Sequence, residues 1–187
     1  MKLSKIFNVK AVLLILVAAI VLGLVASSLI SLAERIFFPQ KYKELVFKYA
    51  DKYAVPRELV FAVIKTESGF DPNALSNQEA MGLMQLLQST AEDMAKNYLN
   101  ENPDTINLYD PETNIKYGTY YLQYLFSLFG SWEKAIIAYN WGLGRLRNFI
   151  DNHGYTEGDY DSIIEKEPRN YIKKVTYYWE KYKEIYK

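Results

Sequence analysis

Residues 11–32, from Ala11 to Leu32, contain no charged side chain. As a helix rising 1.5 Å per residue this run is about 33 Å long, which matches a bilayer hydrocarbon core of about 30 Å. A stretch of that length and polarity cannot sit on the surface of a soluble fold, so it separates the chain into an apolar front and an independent remainder. Lys2, Lys5 and Lys10 precede it. The positive-inside rule then expects residues 1–10 to be a basic cytoplasmic N-terminus, residues 11–32 a transmembrane anchor and everything beyond an extracytoplasmic region. The competing reading is a secretory signal peptide that is cleaved, with small residues at Ala26-Ser27-Ser28. The apolar run exceeds a usual h-region of about 7–15 residues and no A-x-A site closes it, which favours a retained anchor.

Residues 33–40 read as a short linker ending in Phe37-Phe38-Pro39-Gln40, and residues 41–187 are long enough for one domain. Apolar residues make up 50% of the chain and 17 tyrosines add to them, so a packed core is expected and disorder is not. Formal net charge is zero. Because the charges before residue 36 are mostly Lys, the domain is mildly acidic, which gives no support for a nucleic-acid partner. Cysteine is absent and His153 is the single histidine, so neither thiolate chemistry nor a transition-metal site is expected, and no cofactor is implied. His153, next to Gly154, reads as a loop residue.

The domain reads as mainly α, with α+β lysozyme-like character limited to at most a small β-hairpin near residues 76–85. Tyr42, Leu45, Val46, Tyr49 and Ala50 form one helical stripe. Pro56 suits the first turn of a second helix, which ends at Ser68-Gly69. Residues 68–88 lack periodicity and carry Gly69, Asp71-Pro72-Asn73 and Gly82, so they read as irregular backbone lining a groove. Ser89-Thr90-Ala91-Glu92 has the form of a capping box, Asp110-Pro111 of a cap for a helix stopping at Gly130, and Ser131 of a cap for the next. A last helix is expected from near Pro168, packing through Tyr171, Val175, Tyr178, Trp179 and Tyr182.

Glu67 is the candidate for chemistry. Val60, Val63 and Ile64 fall at helical spacing, and Glu67 follows where the stripe calls for another hydrocarbon side chain. Desolvation there raises a carboxyl pKa, and an acid still protonated near neutrality can act as a general acid. The same placement also suits a partly exposed Glu paired with Lys or Arg.

Glu67-Ser68-Gly69 is followed in order by Gly82-Leu83-Met84-Gln85, Ala138-Tyr139-Asn140-Trp141-Gly142 and Glu167-Pro168-Arg169-Asn170-Tyr171-Ile172. These blocks, with Asp110-Pro111-Glu112-Thr113-Asn114-Ile115 between them, resemble the lytic transglycosylase catalytic domain of the soluble, goose-lysozyme-like type, over roughly Tyr42 to Tyr182. The resemblance implies an enzyme that cleaves the β-1,4 bond between N-acetylmuramic acid and N-acetylglucosamine in peptidoglycan glycan strands, leaving 1,6-anhydromuramic ends. It implies Glu67 as sole catalytic acid, then base, with the substrate's N-acetyl oxygen as nucleophile. Tyr139 resembles the tyrosine that hydrogen-bonds the catalytic carboxyl, and Asn140 a neighbouring polar contact. Met84 and Gln85 resemble the wall meeting the N-acetyl group, Ser68 and Ser76 match family serines, and Tyr171 the tyrosine closing the groove. Read from the helix stripes alone, Tyr139 and Tyr171 are also ordinary core aromatics and Met84 core filler.

Glu79, Gln88, Trp141 and Pro168 depart from the family pattern, which expects Gly, Pro, a small residue and Thr there. Glu79 and Trp141 change groove shape and charge. The alternatives are a hydrolytic muramidase on the same fold and a non-catalytic peptidoglycan-binding envelope protein.

Overall fold

The structure, a computed structural model, describes residues 9–163 and 165–186. The chain divides into two compact units between Pro39 and Gln40. In the first, α1 spans Val9–Phe37. Its 27-residue portion Ala11–Phe37 is long and apolar enough to cross a membrane, a test that an N-terminal signal sequence also passes. The helix runs past the expected end at Leu32, through most of the stretch read as a linker, because Glu34 and Arg35 are good helix formers and the Phe38 amide closes on Glu34 O at 2.7 Å. Residues 1–8 of the expected cytoplasmic terminus lie outside the described residues.

The second unit is helical. It contains α2 (Lys43–Tyr53), α3 (Arg57–Glu67), α4 (Gln88–Met94), α5 (Pro111–Phe129), α6 (Trp132–Trp141), α7 (Leu143–His153) and α8 (Lys166–Ile185). No β-strand occurs among the described residues, and the hairpin reduces to isolated antiparallel bridges pairing Leu75 with Met81 and Met81 with Leu86. The helix α3 lies at the centre: every residue from Leu59 to Ile64 is buried. An amphipathic surface helix buries one stripe, so burial all round means that α3 is enclosed by its neighbours. It packs against α8 and α2, while α5 packs against α2 and α6 and α8 also meets α6. Phe61 and Tyr182, both essentially inaccessible, stack at 5.3 Å across the α3–α8 contact. Each large apolar side chain enclosed this way contributes about 1.5–3 kcal/mol.

The caps at Asp110 and Ser131 form as the sequence suggests: Asp110 accepts from Thr113 N at 2.8 Å and Ser131 from Lys134 N at 3.3 Å. Gly130 ends α5 with φ of 65°. The capping box at Ser89 does not form. Here Leu87 holds the extended cap position, α4 starts at Gln88, and the Gln88 amide donates to Glu92 one turn on at 2.9 Å. That side-chain pair offers α4 a start that the hydroxyl of Ser89, already inside the helix, cannot. His153 is a further correction. It is the last residue of α7, a helix passed over in the sequence, and its ring stacks on Phe149 at 5.1 Å. Leu143, Leu146, Phe149 and Ile150 do fall at helical spacing, a short stripe of which Leu146 and Phe149 are buried. Pro56 is the N-cap of α3 rather than its first-turn residue.

Asp110→Ala is expected to cost about 1 kcal/mol, read as a lower urea midpoint at unchanged m-value, whereas Ser89→Ala should leave the midpoint within error.

Candidate active site

The C-terminus of α3 presents Glu67 to a cleft of about 480 Å³. The Ser68 amide makes the last helical bond, to Ile64 O at 3.1 Å, and the helix stops because Gly69 turns away at φ of 60°. The hydroxyl of Ser68 then spans the gap to the next layer, donating to Leu83 O at 2.8 Å and accepting from Phe70 N at 3.2 Å. Through that one side chain the residue next to Glu67 is tied to the loop that forms the cleft's floor.

The floor loop, residues 68–87, has little regular structure and is held instead by backbone bonds and two side-chain amides. Met81 and Leu86 exchange bonds of 2.8 and 3.1 Å, and the Gly82 amide bonds Ala74 O at 2.8 Å. Asn114 of α5, with no accessible surface, donates to Met81 O and Leu108 O at 2.8 Å each and accepts from Met84 N at 2.7 Å. Gly82 is required where it stands: at φ of 73° a Cβ would lie 2.2 Å from Leu108 O and 2.3 Å from Asn114 Nδ2. Gln85, also left-handed at φ of 47°, donates through Nε2 to Ala74 O and Gly82 O, at 3.1 and 3.0 Å. Glu79 has φ of 62°, a conformation that favours glycine.

Burial pushes the Glu67 carboxyl up to about 7, against the opposing influence of the Tyr171 hydroxyl and the Lys174 ammonium, both of which favour the charged form. Tyr171 donates to Glu67 Oε1 at 2.6 Å. Lys174, one turn along α8, places its ammonium 3.4 Å from Thr66 O at the end of α3. Tyr139 and Tyr171 are both driven far above the usual phenol value, first by burial and then by the Glu67 charge, so each stays a neutral donor. The result is a carboxyl poised near neutrality with its orientation fixed from α8.

A protein-family model described as "Transglycosylase SLT domain" matches residues 44–161 of this chain. The chain belongs to the transglycosylase SLT-domain family. It is 35% identical over 149 residues to the soluble lytic murein transglycosylase of Escherichia coli K12, an alignment covering 75% of this chain and 23% of that protein. The membrane-bound lytic murein transglycosylase C of Serratia proteamaculans is also 35% identical, over 159 residues, covering 72% of this chain and 44% of that protein. Among solved structures, an inactive Glu-to-Gln mutant of the lytic transglycosylase Slt from Pseudomonas aeruginosa superposes with a TM-score of 0.74 at 28% identity, covering 81% of this chain and 25% of that one. The alignments thus cover 23% to 44% of these relatives' lengths.

In this SLT domain, Ser76, Gln85, Tyr139 and Asn140 line the cleft with Glu67. Ser76 turns its oxygen inward, accepting from Gln78 N and Ala80 N at 3.2 and 3.0 Å. Ser68 and Met84 lie behind the lining. The Met84 side chain is fully buried against Gly118, where a Cβ would come within 2.5 Å of its sulfur, so it is core filler. The two tyrosines differ from expectation. Tyr139 donates to Met84 O at 2.8 Å, and the phenol bonded to Glu67 is that of Tyr171. The reason is reach: α8 runs beside α3, whereas Tyr139 on α6 faces the floor loop. Sequence reasoning missed Asn114 and Lys174. A buried amide on the Ile115 stripe was the available signal for Asn114; nothing local marks Lys174. It also passed over Glu167, an exposed carboxyl of α8 that borders the cleft.

A carboxyl-selective NMR titration of Glu67 is expected to show an apparent pKa near 7. Tyr171→Phe and Lys174→Met should each move it upward, since each removes a group that favours the carboxylate.

Proposed function

We propose that this SLT domain is a peptidoglycan lytic transglycosylase, anchored by α1 with its N-terminus in the cytoplasm and its catalytic unit facing the wall. The observation that carries the reading is the Glu67 carboxyl itself: raised to about 7 by burial, bonded to Tyr171, and opening on a cleft of about 480 Å³. Membership in the SLT-domain family and relatives named lytic murein transglycosylases support it. The inactivity of the Pseudomonas aeruginosa relative carrying Gln in place of a Glu fits a mechanism that rests on one carboxyl.

In this reading Glu67, protonated at the outset, gives its proton to the glycosidic oxygen leaving N-acetylmuramic acid. The acetamido oxygen of the same sugar bonds to the anomeric carbon as the glycosidic bond breaks, and the positive charge spreads over the acetamido group. Glu67, now a carboxylate stabilised by the Tyr171 hydroxyl and the nearby Lys174 charge, takes the proton of the C6 hydroxyl. That oxygen displaces the acetamido oxygen at the anomeric carbon and closes the 1,6-anhydro ring. The acid is regenerated and no water is consumed. Ser76, Gln85 and Asn140 supply polar contacts along the lining.

The position of Glu167 favours one second reading, a muramidase that hydrolyses the same bond with two carboxyl groups. The two readings differ in product mass, because an anhydro end is lighter than a reducing end by one water, about 18 mass units.

Digestion of purified peptidoglycan is expected to give anhydro ends only. Glu67→Gln should lower turnover by at least about 10³-fold while retaining glycan binding, and Glu167→Gln should keep turnover within a few-fold. Reducing ends together with an inactive Glu167→Gln protein would establish hydrolysis instead. With the acid form required in the free enzyme, kcat/KM should hold level at low pH and fall about tenfold per unit above about 7. Glu67→Gln should also raise the melting temperature at pH 8 but not at pH 4. The wild-type carboxyl binds its proton more tightly when folded, so its destabilisation grows from the usual carboxylate range upward and is complete above about 7.

A further inference from the structure

The segment that follows α7, residues 154–163, leads toward α8 with one 3-10 turn, Tyr160–Ser162, and buries only Ile163. Apolar burial contributes little to its placement, so its polar groups have to be met by neighbours. Three of them converge on one side chain. Glu133, in the first turn of α6, accepts through Oε1 from the Tyr155 hydroxyl at 2.6 Å and the Gly158 amide at 2.7 Å. Through Oε2 it accepts from the Tyr160 hydroxyl at 3.2 Å. On its other side the segment is bonded to α8, the Thr176 hydroxyl to the Tyr160 oxygen and Lys173 Nζ to Asp161 at 2.8 Å. Tyr160 thus stands between a carboxyl of α6 and a hydroxyl of α8.

We infer that Glu133 is a positioning residue for the reaction: through Tyr160 and Thr176 it sets where α8 lies along α3, and so holds the Tyr171 hydroxyl on Glu67. The inference deepens the proposed acid–base role of Glu67 and rests on it. The α3–α8 contact joins the buried apolar residues of both helices, as in the Phe61–Tyr182 stack. Apolar burial is non-directional and changes little when one helix slides slightly over another. The Tyr171–Glu67 bond is less forgiving. At 2.6 Å it lies in an O–H···O range of about 2.5–3.0 Å, so an axial shift of about 0.5 Å already weakens it. A directional tie is needed. Thr176 stands five residues beyond Tyr171 on one unbroken helix, about 7.5 Å along the axis, so what fixes Thr176 also fixes Tyr171. Before Tyr171, the Trp141 indole of α6 bonds Glu165, the N-cap of α8, at 2.9 Å, which leaves the phenol between two held points. A carboxylate suits position 133, because it only accepts and the three groups that reach it all donate. Burial first, and then Glu133, raise the Tyr155 phenol well above its usual value, which keeps it a donor. Six residues beyond Glu133 on α6, Tyr139 bonds Met84 O of the floor loop. One helix thus locates both the floor of the cleft and the phenol that orients the acid.

The test is a double-mutant cycle in the full-length protein, read by the Glu67 NMR titration and by turnover of peptidoglycan. Glu133→Ala and Tyr160→Phe are made alone and together with Tyr171→Phe. Each alone is expected to raise the Glu67 pKa in the sense of Tyr171→Phe, because a hydroxyl that favours the carboxylate is withdrawn. Each should lower kcat several-fold with KM held within about twofold. In the Tyr171→Phe background neither should move the pKa further, since the bond through which Glu133 acts is already gone. Tyr160→Phe keeps its ring and supplies the answer if Glu133→Ala does not fold. Folded variants whose Glu67 titrates as in the parent, or shifts that add in full to that of Tyr171→Phe, would overturn the inference. A parent that releases no anhydro ends would instead sink the transglycosylase reading, while the titration, which needs no substrate, still decides whether Glu133 acts on Glu67.

Discussion

The cleft depends on the amide of Asn114. It satisfies two backbone groups that would otherwise be buried without partners, the carbonyl of Leu108 and the amide of Met84, and adds a second bond to the Met81 carbonyl that Leu86 N already reaches. A buried polar backbone group left unpaired costs on the order of 1–3 kcal/mol, so an irregular loop can lie inside a helical domain only where something replaces the missing ladder. Asn114 is that replacement, and it is carried by α5, a helix capped firmly at both ends. The floor-loop residues that line the cleft with Glu67 are held from this contact. The Met84 carbonyl, once placed, receives Tyr139; the Leu83 carbonyl receives Ser68; Gln85 closes the turn over Gly82.

A second constraint acts on the carboxyl. Enclosure of α3 on all sides forces the end of that helix into a poorly hydrated place, and the same enclosure brings α8 close enough for Tyr171 and Lys174 to act on Glu67. The raised pKa and the groups that moderate it therefore share one origin in the packing of α3 against α8. Burial prevails over the two favourable partners because Tyr171 contributes a single neutral hydrogen bond and Lys174 stands exposed, where water screens its charge.

Much of this was legible beforehand. The apolar run of α1, the caps at Asp110 and Ser131, the stripe leading to Glu67 and the irregular character of residues 68–88 are all local patterns, and local patterns survive folding. What was not legible depended on contacts between distant segments. Which phenol reaches the carboxyl is decided by the separation of α3 from α6 and α8, quantities that no periodicity encodes. The helix α7 is the exception: Leu143, Leu146, Phe149 and Ile150 marked it locally, and that short stripe was passed over. The start of α4 was misplaced because Ser89-Thr90-Ala91-Glu92 satisfies the capping pattern while the Gln88–Glu92 pair wins in the folded chain. Met84 shows the opposite error: its place in a family block suggested contact with substrate, but its side chain fills the space left by Gly118.

The floor loop also contains Phe70, Glu79 and Gln85 with left-handed backbones, in addition to its glycines. Each such residue opposes its own intrinsic preference by about 1 kcal/mol or more. The loop is therefore a sprung segment, clasped shut by its neighbours and unable to keep its outline alone. Loosening α5 would let that tension discharge, and the cleft should lose its outline while the α3–α8 pair is still intact. The shape of the cleft should accordingly be more fragile than foldedness, lost before the helices themselves unfold.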